Sequence, residues 1–160
     1  MKSAFLPSLT VVFLLAACAA GAEEAVPEKA PDPPMGRVTF PSGRTFLVEL
    51  ALTAEEQARG YMWRQEIRSD EGMLFLYDRP GVYRFWMKNC LVPIDMIWLD
   101  GEDRVLAIEH SAPPCHDPQC PSFGPFMTSH AVLEIRGGVA EEEGLKPGDR
   151  LEILTDIPGR

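Results

Sequence analysis

The chain has 160 residues, 46% of them hydrophobic and 24% charged, an ordinary globular composition with room for one domain and not for two large ones. Lys and Arg number 15 against 24 Asp and Glu, a formal net charge of −9, which excludes a nucleic-acid partner held through phosphate contacts. The cysteines Cys18, Cys90, Cys115 and Cys120 are too few for a disulfide-dense scaffold and too irregularly spaced for paired zinc knuckles, so the fold must rest on its core.

Residues 1–17 carry one charge, Lys2, and then a mostly apolar run of secretory-signal length. A bilayer span needs roughly 20 apolar residues, and this run is shorter. It ends in Leu15-Ala16-Ala17-Cys18, which resembles the lipobox of bacterial lipoproteins, where cleavage leaves an acylated cysteine at the new N-terminus. Cys18 is then a lipid anchor. The alternative is a plain signal peptide cut near Ala20 or Ala22, which would leave the protein secreted. Residues 19–35 hold four prolines and no hydrophobic period, so they read as a tether, about 3 Å per residue if extended. The expected organisation is a lipoprotein signal peptide over 1–17, the acylated cysteine and tether over 18–35, and a single β-domain over 36–160. Its place is the cell envelope, facing the periplasm, with the membrane touched through the anchor alone.

Over residues 44–52, Phe46, Val48, Leu50 and Leu52 share one face and Thr45, Glu49 and Ala51 the other, a strand period. Thr53-Ala54-Glu55-Glu56 then forms a capping box: the Thr53 hydroxyl suits the Glu56 amide, and the Glu56 carboxylate reaches back. A short helix follows, with Ala54, Ala58, Tyr61 and Met62 at helical spacing and Gly60 as its left-handed stop. Further strands are expected over 72–77, 81–88, 94–100, 104–110, 131–136 and 150–154, separated by turns such as Asp78-Arg79-Pro80-Gly81 and Asp100-Gly101-Glu102-Asp103. Met73 to Tyr77 is apolar on both faces and belongs at the centre of a sheet. Residues 139–143 suit one helical turn stopped by Gly144, and Lys146-Pro147-Gly148-Asp149 a tight turn. About eight short strands with one short helix predict an all-β fold, a jelly-roll-like sandwich or barrel.

The chemistry-bearing residues crowd into 85–98. Alternation puts Arg84, Trp86 and Lys88 on one face and Tyr83, Phe85, Met87 and Asn89 on the other. A hairpin with its tip at 90–93 would set Asp95 within ion-pair reach of Lys88. Two readings then stand. In one, Trp86, Lys88, Asn89 and Asp95 form a small-ligand cleft, with an indole platform, two donors and an acceptor suited to a sugar or a small anion. In the other, a Lys88–Asp95 pair fixes a hairpin and Trp86 and Trp98 pack inward. No Ser/His/Asp or Cys/His spacing is legible, and no catalytic group is assigned.

The run Phe85-Trp86-Met87-Lys88-Asn89-Cys90-Leu91-Val92-Pro93-Ile94-Asp95-Met96 carries a resemblance. It is preceded by Glu56 to Arg64 (EQARGYMWR) and Glu71 to Phe75 (EGMLF), and followed by Ala112-Pro113-Pro114-Cys115 and Gly148-Asp149-Arg150-Leu151. Together, across about residues 37 to 155, these resemble the domain-of-unknown-function 192 (DUF192) family. The chain departs from that pattern at Cys90, where threonine is usual, and at Tyr61, where leucine is usual. The resemblance implies an all-β, jelly-roll-like fold, frequently secreted, and no established activity.

Met62, Met73, Met87 and Met96 suggest a soft cuprous site beside a tryptophan, although flexible thioethers also fill cores, the preferred reading here. Cys115 and Cys120, five apart around Pro118 in a proline-rich loop, are expected to form a local disulfide in an oxidising compartment; a metal knuckle with His110, His116 or His130 is the alternative. Cys90 is then unpaired and inert. Glu141 to Glu143 reads as a solvated face. The leading function is an uncharacterised envelope lipoprotein acting as a non-catalytic binding or accessory module for an unidentified envelope ligand or protein, with no cofactor. An envelope-glycan enzyme using Asp95 as acid or base, and a copper- or zinc-handling protein, are the alternatives.

Overall fold

A computed structural model describes residues 32–157; Cys18, the signal segment and most of the tether lie outside the described residues. Nine strands and two short helices follow one another as β1 (Met35–Thr39), β2 (Thr45–Ala51), α1 (Ala54–Arg59), β3 (Glu71–Gly81), β4 (Phe85–Trp86), β5 (Ile94–Leu99), β6 (Val105–Ala112), β7 (Ser122–Phe123), β8 (Ser129–Arg136), α2 (Val139–Glu142) and β9 (Glu152–Thr155). The fold is mainly β, as expected. Strand β1 begins at Met35, the last residue assigned to the tether, and β7 lies in the proline-rich loop.

Seven strands form one mixed sheet in the order β6-β5-β8-β3-β2-β1-β9, and β4 pairs β7 in a separate two-stranded ribbon. The large sheet curls until its two edges meet. An antiparallel bridge joins Arg104 to Arg150, and the Val105 N–H donates to the Asp149 carbonyl at 2.8 Å. Strands β2 and β3 run parallel and therefore need a crossover, supplied by α1 and the segment after it. The capping box predicted there is present: the Glu56 N–H donates to the Thr53 hydroxyl at 3.2 Å, and the Glu56 carboxylate accepts the Thr53 N–H at 2.8 Å. The helix stops at Arg59, and Tyr61 reaches the core from beyond it.

The central strands are buried on both faces, which is why they read as continuous apolar runs. On the inner face, Leu74, Leu76, Ile97, Leu99, Leu133 and Ile135 join one cluster; on the outer face, Met73, Phe75, Met96, Trp98 and Val132 join another with Tyr61, Met87 and Cys90. Period-two alternation thus sorts neighbours into two cores rather than into core and solvent. Strand β2 ends at Ala51, so Leu52 leaves the apolar row and is exposed.

The expected strand over 81–88 is corrected. Gly81 is the last residue of β3, and beyond it only Phe85–Trp86 forms a strand, which pairs with Ser122–Phe123. A hairpin with β5 is impossible because β6 and β8 already occupy both edges of β5.

Candidate functional site

Since β4 has no partner in the main sheet, residues 82–93 are held by other means. The Trp98 indole N–H donates to the Tyr83 carbonyl at 2.8 Å, and the Phe85 ring packs edge-on against Phe75 and Trp98. Beyond β4, Lys88 bridges Cys115: the Asn89 N–H donates to the Cys115 carbonyl at 3.0 Å and the Cys115 N–H to that of Met87 at 3.2 Å. Cys115 is disulfide-bonded to Cys120 as expected, which removes both from metal binding. Asn89 and Trp63 each adopt a left-handed backbone, at φ 58° and 63°, and the Trp63 N–H donates to the Asn89 carbonyl at 2.8 Å. Such a conformation is costly for tryptophan and persists only because its surroundings enforce it.

This frame presents Trp86 49% exposed, with the Lys88 ammonium 5.1 Å from its ring centroid. The Asn89 amide donates toward the Met62 thioether at 3.9 Å. Three of the four predicted site residues, Trp86, Lys88 and Asn89, therefore stand along one short stretch.

Asp95 does not join them. It is fully buried and accepts three backbone N–H groups: Ser111 at 2.7 Å and Gly138 at 2.9 Å on Oδ1, and Ala140 at 2.7 Å on Oδ2. The expected Lys88–Asp95 ion pair is corrected: no such pair exists among the described residues, because Asp95 faces the inner side of β5 and ties off the start of α2 and the end of β6. With both oxygens engaged and no exposure, its carboxylate offers nothing to a substrate.

A different carboxylate borders the indole. Glu134, in β8, is 4% exposed and stands in register with Met73 on β3 and Met96 on β5, on the outer face. It lies at a narrow cleft shared with Gly60, Tyr61, Met62, Trp86 and Cys90, of volume ≈ 20 Å³. One water-sized group needs roughly 10–15 Å³ by this measure, so the cleft admits one such group. Glu134 accepts no hydrogen bond and makes no ion pair among the described residues, and burial pushes its carboxyl up to about 8. Burial pushes the Cys90 thiol up to about 12, with the Glu134 charge adding to it. Burial also raises the Tyr61 and Tyr77 phenols. Sequence reasoning missed Glu134. Its one signal was a carboxylate on a face of 131–136 shared with Val132, inside an otherwise apolar run.

Met73, Met87 and Met96 are core residues, 5%, 0% and 0% exposed. Free Cys90 is buried. A broader trough of ≈ 440 Å³ runs beside Met35, Leu47 and Leu154 on the β1–β2–β9 side, open to solvent and distant in the fold from Trp86.

The model of the DUF192 family, described as an uncharacterized ACR, matches residues 37–153. Among solved structures, the chain is similar to a protein of unknown function from Novosphingobium aromaticivorans DSM 12444, at 40% identity and TM-score 0.67 over 74% of this chain and 83% of that one. It is also similar to a protein of Sinorhizobium meliloti 1021 described as a candidate transcription regulator, at 30% identity and TM-score 0.66 over 77% of this chain and 97% of that one. No curated protein matches.

Proposed function

This chain belongs to the DUF192 family, and from that premise we propose that it is a non-catalytic binding or accessory module of the cell envelope, whose ligand lies on Trp86 with Lys88 and Asn89 at the rim. The observation that carries the reading is the half-exposed Trp86 indole on a backbone braced by β7, the Cys115 ladder and the Trp63–Asn89 hydrogen bond. An exposed indole on a rigid frame offers a large apolar contact at little entropic cost on binding. Asp95 plays no part in the reading, which leaves the glycan-enzyme alternative without its acid. The envelope placement rests on the Leu15-Ala16-Ala17-Cys18 run.

The test is tryptophan fluorescence of the folded mature protein titrated with soluble cell-wall glycan fragments. A saturable change that Trp86→Ala removes and Trp63→Ala leaves in place is the expected result. Unchanged binding in Trp86→Ala would sink the reading. For the anchor, Cys18→Ala is expected to move the protein from the membrane fraction to the soluble one.

A further inference from the structure

Among the described residues, Glu134 is the buried carboxyl that the fold does not consume. Asp95 is occupied on both oxygens, whereas Glu134 makes no hydrogen bond and no ion pair among the described residues. Its carboxyl is not sealed in but opens onto the narrow cleft, so a hydrogen-bonding group entering from outside can reach it.

The route to it is built. Gly60 stands above the carboxyl: a methyl group there would sit 3.7 Å from Glu134 Oε2 and 3.4 Å from Phe75 Cζ. Glycine at this point, in a left-handed conformation with φ 45° that it alone adopts without strain, keeps the approach open. Trp86 lines the same cleft, so a ligand lying on the indole is adjacent to the opening.

We propose that Glu134 is the floor of a subsite that receives a single hydroxyl group of a polyhydroxylated ligand, a saccharide or related polyol, whose body rests on Trp86. The inference deepens the platform reading and rests on it. Cavity size limits the entering group to one the size of water. That size excludes a carboxylate or a phosphate, and charge disfavours an ammonium, since Arg59 lines the cleft and the Lys88 ammonium stands 5.1 Å from the Trp86 ring centroid. A hydroxyl both donates and accepts, and so does an undissociated carboxylic acid.

The ionisable groups around Glu134 are Arg59 at the end of α1, Tyr61 beyond it, Tyr77 on β3 and Cys90 after β4. The Arg64–Glu49 pair and Glu71 act on Tyr61 from behind. Arg64 is neutralised by Glu49, and the two phenols and the thiol are held protonated. Glu134 is then the group near the cleft whose own titration alters binding around pH 8.

The experiment is carbon NMR of mature protein labelled at glutamate, with the Glu134 carboxyl carbon assigned by its loss in Glu134→Gln, titrated with glycerol, methyl glucoside and methylammonium. Glycerol and the glucoside are expected to shift this signal saturably, and methylammonium is not. Glu134→Gln, read on the Gly60 amide, should keep polyol binding within about threefold, since an amide also donates and accepts; Glu134→Leu should weaken it about tenfold or more. Trp86→Ala should weaken the glucoside alone. In wild type, which needs no variant to fold, polyol binding should decline as pH rises through about 8. Binding that Glu134→Leu leaves unchanged, a flat pH profile, a response to methylammonium, or no saturable shift with either polyol would overturn the subsite. Loss in Glu134→Leu with none in Trp86→Ala would instead overturn the platform and leave the subsite.

Discussion

The Asp95 carboxylate accepts the Ala140 N–H at 2.7 Å, joining residues 45 positions apart in the chain. It caps the N-terminus of the four-residue helix α2 from outside, because the N-cap residue, Gly138, has no side chain to do so. Two further amides, of Ser111 and Gly138, meet the same carboxylate. Asp95→Asn would turn an amide N–H toward these donors and leave at least one unpaired. The expected loss of stability is about 2–4 kcal/mol, measured as a drop in the urea midpoint at constant slope. A loss under about 0.5 kcal/mol would show that the clamp contributes little.

Loss of the Cys115–Cys120 disulfide should act locally. Its sequence separation of 5 closes a short loop, for which chain entropy gives roughly 2 kcal/mol. Because Cys115 carries the ladder to Met87 and Asn89, Cys115→Ser/Cys120→Ser should raise hydrogen exchange at the amides of residues 89 and 115 and leave β8 protected. Equal deprotection of β8 would mean that the loop supports the whole sheet.

Glu134 makes stability depend on pH with a definite sign. Its folded value of about 8 lies above the ordinary 4.5, so protonation favours the folded state. The contribution is intact below about 4.5 and fades as pH rises toward 8, at up to about 1.4 kcal/mol per pH unit. Glu56, Asp70, Glu143 and Asp149 are shifted the other way and lose their stabilising contributions on acidification. The difference between wild type and Glu134→Gln in denaturant midpoints from about pH 5 to 8 isolates Glu134. A constant difference across that range would refute the assignment.

Cys90 is expected to be chemically silent. It is 5% exposed and burial raises its thiol to about 12, so thiolate is scarce at neutral pH. An alkylating reagent applied to the native protein should leave the peptide containing Cys90 unmodified, and modify it stoichiometrically after denaturation. Prompt native labelling would place the thiol within reach of solvent.

Local chemistry made much of this molecule legible. The Thr53–Glu56 capping box needs only residues three apart, and the Cys115–Cys120 disulfide only a short loop. The alternation of 44–52 and the apolar run of 72–77 located β2, short of Leu52, and β3, because a strand's period is a property of the chain alone. Less legible was the partner of each strand. Residues 81–88 alternate as a strand does, yet β5 has no free edge for them, and after Gly81 closes β3 only Phe85 and Trp86 form a strand.

Membership in an all-β class, an acidic surface and the Trp86-Met87-Lys88-Asn89 segment were thus settled by the order of residues. The surroundings of the two buried carboxylates were decided only in three dimensions. Asp95 and Glu134 each interrupt an apolar strand, and spacing alone favoured Asp95 as the working group. Folding placed Asp95 on the inner face, against the amides of α2, and Glu134 on the outer face beneath Gly60, beside the indole. Periodicity assigns a side chain to a face, but what covers that face comes from elements distant in sequence, and that cover determines whether a buried carboxyl is satisfied by backbone amides or opens onto a cleft.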